Sequence, residues 1–411
     1  MKQTNKSLTT VFFLAFCLAN SQAQWTQMVS GTTYALYDIN FPTHDTGYAV
    51  GYYGAILKST DAGITWTTLV SNTYSDLQGV EFLNANTGFV VGDSGIIKTT
   101  DGGITWNQIS IPVASSLKDI EFINAQTGFC VGNNGTILKT TDGGNTWIII
   151  PPPSGQINFN CVNFPTDSIG YIVSGPANWE FKKTIDGGNT WSNIPINPNN
   201  NYSVLEAIFF TDANTGYLGG WYFPAFYKTT DGGNNWVDKN IPDSVGNLVN
   251  PYSIYFTSSA IGYAVGFNNA VGIIKTSDAG NTWSVQNAGV SLNEIFYAVH
   301  FTNDTTGYIV GTNGIILKTT NGGVTGIEEN NYSENDLAVY PNPSSNELNI
   351  QNNSSQVFQF TLYNSLGEKI IDKTLMNKSS TIDLSSYSND IYFYKLISDK
   401  QQIKSGKIIK Q

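Results

Sequence analysis

Thr46-Gly47-Tyr48-Ala49-Val50-Gly51, followed by Ile56-Leu57-Lys58-Ser59-Thr60-Asp61-Ala62-Gly63-Ile64-Thr65-Trp66, decides how this chain folds, because both phrases return along it. The glycine of the first phrase recurs at Gly88, Gly128, Gly170, Gly216, Gly262 and Gly307, with spacings of 41, 40, 42, 46, 46 and 45 residues counted from Gly47. A period of about 40 to 45 residues is that of a four-stranded propeller blade. Each copy supplies the strands. Leu36-Tyr37-Asp38-Ile39-Asn40-Phe41 has β-type alternation, Gly47–Gly51 and Ile56–Ser59 follow, and a fourth strand begins at the tryptophan. The expected fold is all-β: a seven-bladed β-propeller, then a small β-sandwich domain.

The turn ahead of the tryptophan repeats at 99–106, 140–147, 184–191, 229–236 and 276–283. Its S/T-x-D-x-G-x-T-W pattern resembles the Asp-box of sialidase-type and photosystem II assembly-factor-type propellers. The residues explain themselves locally: an Asp carboxylate accepts hairpin N–H groups, Gly permits positive φ, and Trp is a large plate between sheets. Asp61, Asp101, Asp142, Asp186, Asp231 and Asp278 are therefore read as structural turn caps. The seventh copy, Thr319-Thr320-Asn321-Gly322-Gly323-Val324-Thr325-Gly326, has Asn for Asp and no Trp. Trp25-Thr26-Gln27-Met28-Val29-Ser30 parallels Trp66-Thr67-Thr68-Leu69-Val70-Ser71 and precedes it by 41 residues, so the N-terminal segment should complete the last blade and remove a free sheet edge.

Beyond residue 326 the glycine rhythm stops. Val339-Tyr340-Pro341-Asn342-Pro343, the stretch 361–370, Ile382-Asp383-Leu384, Ile391-Tyr392-Phe393-Tyr394-Lys395 and the ending Lys404-Ser405-Gly406-Lys407-Ile408-Ile409-Lys410-Gln411 resemble, in order, the type A sorting domain of type IX secretion substrates. Asn389-Asp390 departs from the glycine usual there. The resemblance implies the type IX secretion machinery as a partner and a destination outside the cell or on its outer surface, reached through the periplasm. At the other end, Lys2 and Lys6, the apolar run 11–19 and Ser21-Gln22-Ala23 read as a signal peptide cleaved before Gln24; the run is too short to span a bilayer. Leu14-Ala15-Phe16-Cys17 approaches a lipoprotein signal, but Phe16 is bulky where a small residue belongs. The expected layout is signal peptide 1–23, propeller 24–326, linker 327–336 and sorting domain 337–411.

The formal net charge of -11 opposes nucleic acid and anionic lipid as partners. All 20 basic residues are lysines, so no guanidinium clamp exists; sialidases bind their substrate carboxylate through three arginines, and that activity is disfavoured. Other Asp-box glycosidases use an Asp or Glu pair. Asp38, Glu81, Asp119 and Glu121 lie on the innermost strands, but no spacing marks two as partners. The two histidines, His44 and His300, and the cysteines show no metal-ligand spacing, so no metal or cofactor is expected. Cys130 and Cys161 are either small buried residues or a disulfide between adjacent blades.

Comparing repeats exposes positions that the fold does not hold constant. The second residue of the innermost strand reads Tyr37, Gln78, Lys118, Asn160, Glu206, Tyr252 and Tyr297, which places a varied ring at one channel mouth. Loops between strands two and three open on the same face, opposite the Asp turns, and carry Tyr52, Tyr53, Trp179, Glu180, Trp221, Tyr222 and Phe223. Either these aromatics form a contact surface or Trp179 and Trp221 pack between enlarged blades. A non-catalytic binding propeller for a glycan or protein ligand is the first functional expectation; a glycoside hydrolase-like propeller and an assembly or scaffold factor are the alternatives.

Overall fold

Each repeat folds into an antiparallel four-stranded sheet, and the sheets are arranged as a ring. The computed structural model describes residues 24–151, 157–175, 181–194, 204–221, 226–239, 250–267, 272–290, 294–323, 337–352, 357–364, 368–375, 378–398 and 401–411. The signal-peptide reading, the linker reading and Trp179, Glu180, Tyr222 and Phe223 lie outside these residues. Blade one is Leu36–Asn40, Gly47–Gly51, Ile56–Ser59 and Thr67–Leu69, in that order from the centre outward. The innermost strands of blades two to seven are Leu77–Phe82, Leu117–Phe122, Phe159–Asn163, Val204–Phe210, Asn250–Phe256 and Phe296–Phe301. Each packs against the innermost strands of both neighbours, the seventh against the first. In blade seven the outermost strand is Thr26–Met28, paired antiparallel with Ile316–Thr319 through Thr26↔Lys318 and Met28↔Ile316.

Three aromatic rings recur at each junction between blades. Phe41 of blade one stacks on Tyr308 of blade seven at 3.9 Å, and Trp66 stands edge-on to Phe41 at 5.9 Å and 89°. Phe82 repeats this with Tyr48 and Trp106, and Phe256 with Tyr217 and Trp283. Trp25 takes the same place in blade seven, edge-on to both Phe301 and Tyr263, and is fully buried. The repeated glycine follows from this layer: a Cβ on Gly47 would lie 2.3 Å from the Phe41 ring, so no other residue fits beneath it.

A second junction contact is polar. The third strand of each blade carries a lysine, Lys58, Lys98, Lys139, Lys183, Lys228, Lys275 or Lys318, whose ammonium donates to a carbonyl in the next blade's turn between strands three and four, the Asp turn in all but blade seven, where Asn321 stands in its place. Lys58 donates to Gly102 O at 2.7 Å, Lys98 to Gly143 O at 3.1 Å and Lys139 to Gly187 O at 2.7 Å. Lys183 reaches Gly232 O, Lys228 reaches Ala279 O and Lys275 reaches Gly322 O. Lys318 closes the ring on Ala62 O at 2.6 Å, joined there by the Tyr308 hydroxyl. Each ammonium also lies 5.0 to 5.8 Å from the centre of an aromatic ring in its own blade. Such desolvated cation–π and charge-assisted contacts are the stronger members of their classes.

The Asp turns present those carbonyls. In blade one, Asp61 Oδ1 accepts N–H bonds from Ile64 and Thr65, Oδ2 accepts the Thr65 hydroxyl at 2.6 Å, and the Ser59 hydroxyl donates to Oδ1. Asp101, Asp142, Asp186, Asp231 and Asp278 accept the backbone N–H four residues ahead in the same way. These bonds, led by the Thr65 hydroxyl, hold Asp61 down at about 2.

Residues from Leu337 onward form a separate compact unit. A three-stranded sheet (Leu337–Tyr340, Glu347–Asn352, Ser379–Asp383) and a four-stranded one (Lys369–Leu375, Phe358–Tyr363, Ile391–Ser398, Gln401–Ile409) enclose a core that includes Leu348, Phe358, Phe360, Leu362, Tyr392 and Leu396. Asn342 explains its motif: its Nδ2 donates to Lys407 O at 2.7 Å and its Oδ1 accepts Ile409 N–H at 2.9 Å, clamping the last strand. At the departure from the family pattern, Asp390 Oδ1 accepts the N–H of Ile391 at 2.7 Å.

Trp25→Ala in the full-length protein is expected to lower the unfolding free energy by about 3–5 kcal/mol, as for a deleted core aromatic. Denaturant unfolding measures this, and an unchanged midpoint would contradict the closing role of the N-terminal strand.

Candidate functional site

All seven innermost strands share one irregularity. Their pairing with the second strand slips by one residue near the start, between Leu36 and Asp38 in blade one and at the matching place in every other blade. The residues skipped are Tyr37, Gln78, Lys118, Asn160, Glu206, Tyr252 and Tyr297. A β-bulge leaves its extra residue outside the ladder and re-aims its side chain. This leaves that position free to vary while the fourth and sixth residues of the strand, Ile39 and Phe41 in blade one, stay apolar in every copy.

The ring of bulge residues has two halves. On one side Trp221, Tyr252, Tyr297 and Tyr37 run edge-to-face across blades five, six, seven and one, with centroid distances of 5.4, 5.4 and 5.2 Å. Trp221 is thus packed on the next blade's bulge tyrosine and only partly exposed, which combines the two readings of it. On the other side Asn160 Nδ2 donates to Glu206 Oε2 at 2.9 Å. Burial pushes the Glu206 carboxyl up to about 7, against the pull of Lys118. Gln78 and Lys118 are half-buried beside them.

Outside this ring, on the same face, lies a more open aromatic group. The strand-two to strand-three connection of blade one is a 3-10 turn, Tyr52–Gly54. Tyr34 meets Tyr52 at 5.8 Å and Tyr53 at 5.9 Å, and Tyr53 meets Tyr74 at 5.1 Å. These four rings are 43–77 % exposed. Tyr53 has φ 56° and ψ 37°, held by its N–H donating to Asp76 Oδ1 at 3.0 Å. A left-handed conformation costs a bulky residue on the order of 1 kcal/mol. The matching turns of blades three and seven place Asn134 and Asn313 there, at φ 58° and 55°. Tyr34 and Tyr74 escaped the sequence reading because they lie between repeats and out of register with each other: at the 41-residue spacing Tyr34 matches Ser75 and Tyr74 matches Thr33.

The channel below the mouth holds the acids weighed for hydrolysis, and the structure gives them another occupation. Asp38 accepts the N–H of Val80 in the next blade at 2.8 Å and that of Ile39 at 2.8 Å. Asp119 does the same with Val162 and Ile120, and Glu121 takes the N–H of Phe164 at 2.9 Å. Asn163 takes Phe210 N–H and Ser253 takes Val299 N–H. Polar side chains on one inner strand thus satisfy the unpaired edge of the next. Burial pushes Asp38 up to about 7 and Glu121 up to about 8, and raises Glu81 and Asp119 as well. For Glu81 the charges of Glu121, Asp38 and Asp119 add to the effect. All four side chains are half-buried in the channel wall.

His300 is pushed down to about 4 by burial and lies parallel to Phe41 at 6.1 Å. Cys130 and Cys161 are free thiols: Cys130 is fully buried in the core of blade three, and Cys161 sits beside Asp119, so the alternative of a disulfide is resolved against. Among the described residues no cluster of His, Cys, Asp and Glu has the makings of a metal site, and no helix is long and apolar enough to cross a membrane.

Comparison with known proteins agrees with this architecture. The family model described as photosynthesis system II assembly factor YCF48 matches residues 17–111, 102–250 and 243–335, and that of the secretion system C-terminal sorting domain matches 338–411. No curated protein matches the chain significantly. Among solved structures, YCF48 bound to D1 peptide is 21 % identical, with a TM-score of 0.60, covering 72 % of this chain and 97 % of that one. PorZ, a surface component of the type IX secretion system of Porphyromonas gingivalis, is 14 % identical with a TM-score of 0.59; the match covers 93 % of this chain and 60 % of PorZ. The GH74 enzyme of Niastella koreensis is 15 % identical with a TM-score of 0.52, over 92 % of this chain and 66 % of the enzyme. At these identities the likeness is one of fold.

The channel acids carry a pH prediction. Glu121 has its folded value raised from 4.5 to about 8, so its contribution to stability is complete below about pH 4.5 and is lost as pH rises toward 8. Glu121→Gln keeps an oxygen for Phe164 N–H and removes the titration. The variant is expected to match the parent's unfolding midpoint near pH 5 and exceed it at pH 8; equal pH slopes would contradict a protonated Glu121.

Proposed function

The chain belongs to the photosynthesis system II assembly factor YCF48 family, and on that premise we propose that it is an exported, non-catalytic recognition propeller that binds its ligand on the face bearing the bulge ring and the Tyr52–Gly54 turn. The carrying observation is that ring. Seven bulges lift seven side chains out of the repeat at one mouth, and aromatic and polar residues are sorted there into two halves. Tyr37, Gln78, Lys118, Glu206, Tyr52, Tyr53 and Trp221 are the assigned contact residues. Aromatic anchors with a polar rim are what recognition surfaces use.

The absence of arginine disfavours sialidase chemistry, and the bracing role of Asp38, Asp119 and Glu121, whose oxygens are taken up by backbone N–H groups of the next blade, favours binding over hydrolysis. The sorting domain at 338–411 supports delivery by the type IX machinery to the medium or the outer surface. A second reading, a scaffold or assembly factor for another envelope protein, is favoured by one observation: a relative of the same fold has been seen with a peptide bound.

Immobilised full-length protein is expected to retain polysaccharide or polypeptide from the outer surface of its host. Tyr37→Ala combined with Tyr297→Ala should abolish that retention while the protein still unfolds cooperatively, with a melting temperature lowered only by the lost ring contacts, and aryl glycosides should show no turnover. Retention unchanged in the double variant, or measurable turnover that Glu81→Gln removes, would contradict the reading. Deleting 337–411 should leave a folded propeller in the periplasm, whereas secretion of the truncated protein would contradict the export role.

A further inference from the structure

We propose that two crevices flanking Tyr34 form a binding site for a neutral oligosaccharide; this rests on the loop-face reading above and specifies its ligand. The first crevice, about 680 Å³, has walls that include Tyr34, Tyr53 and Tyr74 together with Ser71, Asn72 and Thr73. The second, about 790 Å³, includes Tyr34, Gln27, Thr32, Thr33 and Asn313. They are made by corresponding stretches of chain, 25–33 and 66–74, each running from an outermost strand toward the next blade, with Tyr34 just past the first. The 3-10 turns Tyr52–Gly54 and Thr312–Gly314 contribute to them. Two crevices of common design share one tyrosine as the ridge between them, an arrangement that suits a ligand with repeating units.

The walls indicate the chemistry. A pyranose offers C–H faces that pack on aromatic rings and a rim of hydroxyls that bond to amides and hydroxyls. Tyr53 and Tyr74 are 48 % and 77 % exposed, and Gln27, Asn72, Thr33 and Asn313 supply the polar partners. No residue lining either crevice is charged, in a chain whose net charge is -11. An acidic sugar would therefore meet no cation and an unfavourable field. Both crevices are open rather than enclosed, so they admit a chain but offer no deep pocket to anchor a peptide side chain. Tyr53 is the most telling residue. Folding does not require an aromatic there, because Asn134 and Asn313 make the same turn with a side chain that tolerates positive φ. A tyrosine held in that conformation and turned to solvent is explained by what it contacts.

The test uses the full-length protein on a glycan array, followed by calorimetry with cellohexaose, laminarihexaose and mannohexaose, and with hexagalacturonate as the acidic comparator. At least one neutral hexamer is expected to bind, and more tightly than its monosaccharide. Tyr53→Asn, which restores the residue of the other turns, and Tyr74→Ala should each weaken it about tenfold or more, as for loss of an aromatic anchor. The melting temperature of the Tyr53→Asn variant should be equal or higher. A blank array, binding indifferent to both substitutions, preference for the acidic hexamer, or displacement of the sugar by arrayed peptides would each overturn the proposal. If the array is blank while the Tyr37 and Tyr297 double variant still loses retention of surface material, only the ligand assignment falls; if that retention is also unaffected, the loop-face reading falls with it.

Discussion

Everything in this propeller depends on the contact between one blade and the next. A four-stranded sheet has two faces to bury and one free edge toward the channel, and each junction meets both needs. Stacked rings such as Phe82 on Tyr48 fill the space between faces, and a lysine such as Lys58 reaches across to a carbonyl of the following Asp turn. Side chains such as Asp38 occupy the N–H groups left over on the inner edge. Since the contact is repeated around a closed ring, its last instance must join the two ends of the propeller. Trp25 against Phe301 completes the closing blade, and Lys318 on Ala62 ties that blade to the first.

That dependence separates two kinds of position. Residues that touch a neighbouring blade are held by geometry, and Gly47 under the Phe41 ring is the strictest case. Residues at the bulges stand outside the regular ladder pairing; they meet the next blade through side chains that differ from blade to blade, as Tyr37 meets Tyr297 and Asn160 meets Glu206, so their chemistry is free to serve another purpose. The same division runs through the tyrosines. Tyr48, Tyr171, Tyr217, Tyr263 and Tyr308 are buried parts of junctions, whereas Tyr34, Tyr52, Tyr53 and Tyr74 are exposed on one face. Equal composition therefore hides opposite roles, and only the place in the repeat distinguishes them.

Much of this was legible in the sequence, and the rest was hidden for identifiable reasons. The returning glycines gave the blade period, and the phase of Trp25 relative to Trp66 located a strand whose partner is Ile316–Thr319. Variation at Tyr37 and its counterparts was visible, and so was the mark of the bulge: buried residues fall at Leu36, Ile39 and Phe41, a step of three before a step of two, where unbroken alternation would give two steps of two. The lysine before each Ser or Thr of the third strand was also in plain view. It looks like a solvated charge until the next blade's carbonyl is placed above it. Asp38, Asp119 and Glu121 were legible as inner-strand acids, but their partners Val80, Val162 and Phe164 lie 42 or 43 residues away, and no local pattern announces a bond to a backbone N–H at that distance.

The claim that recognition belongs to the bulge face, opposite the Asp turns, is tested most directly by hydrogen–deuterium exchange of the full-length protein with and without saturating polysaccharide from the surface of its host. Slowed exchange is expected in 30–37, 52–54 and 71–78, with the Asp turns at 61–66, 101–106 and 142–147 unchanged. Protection concentrated at those turns, or no protection on the bulge face at saturation, would contradict it.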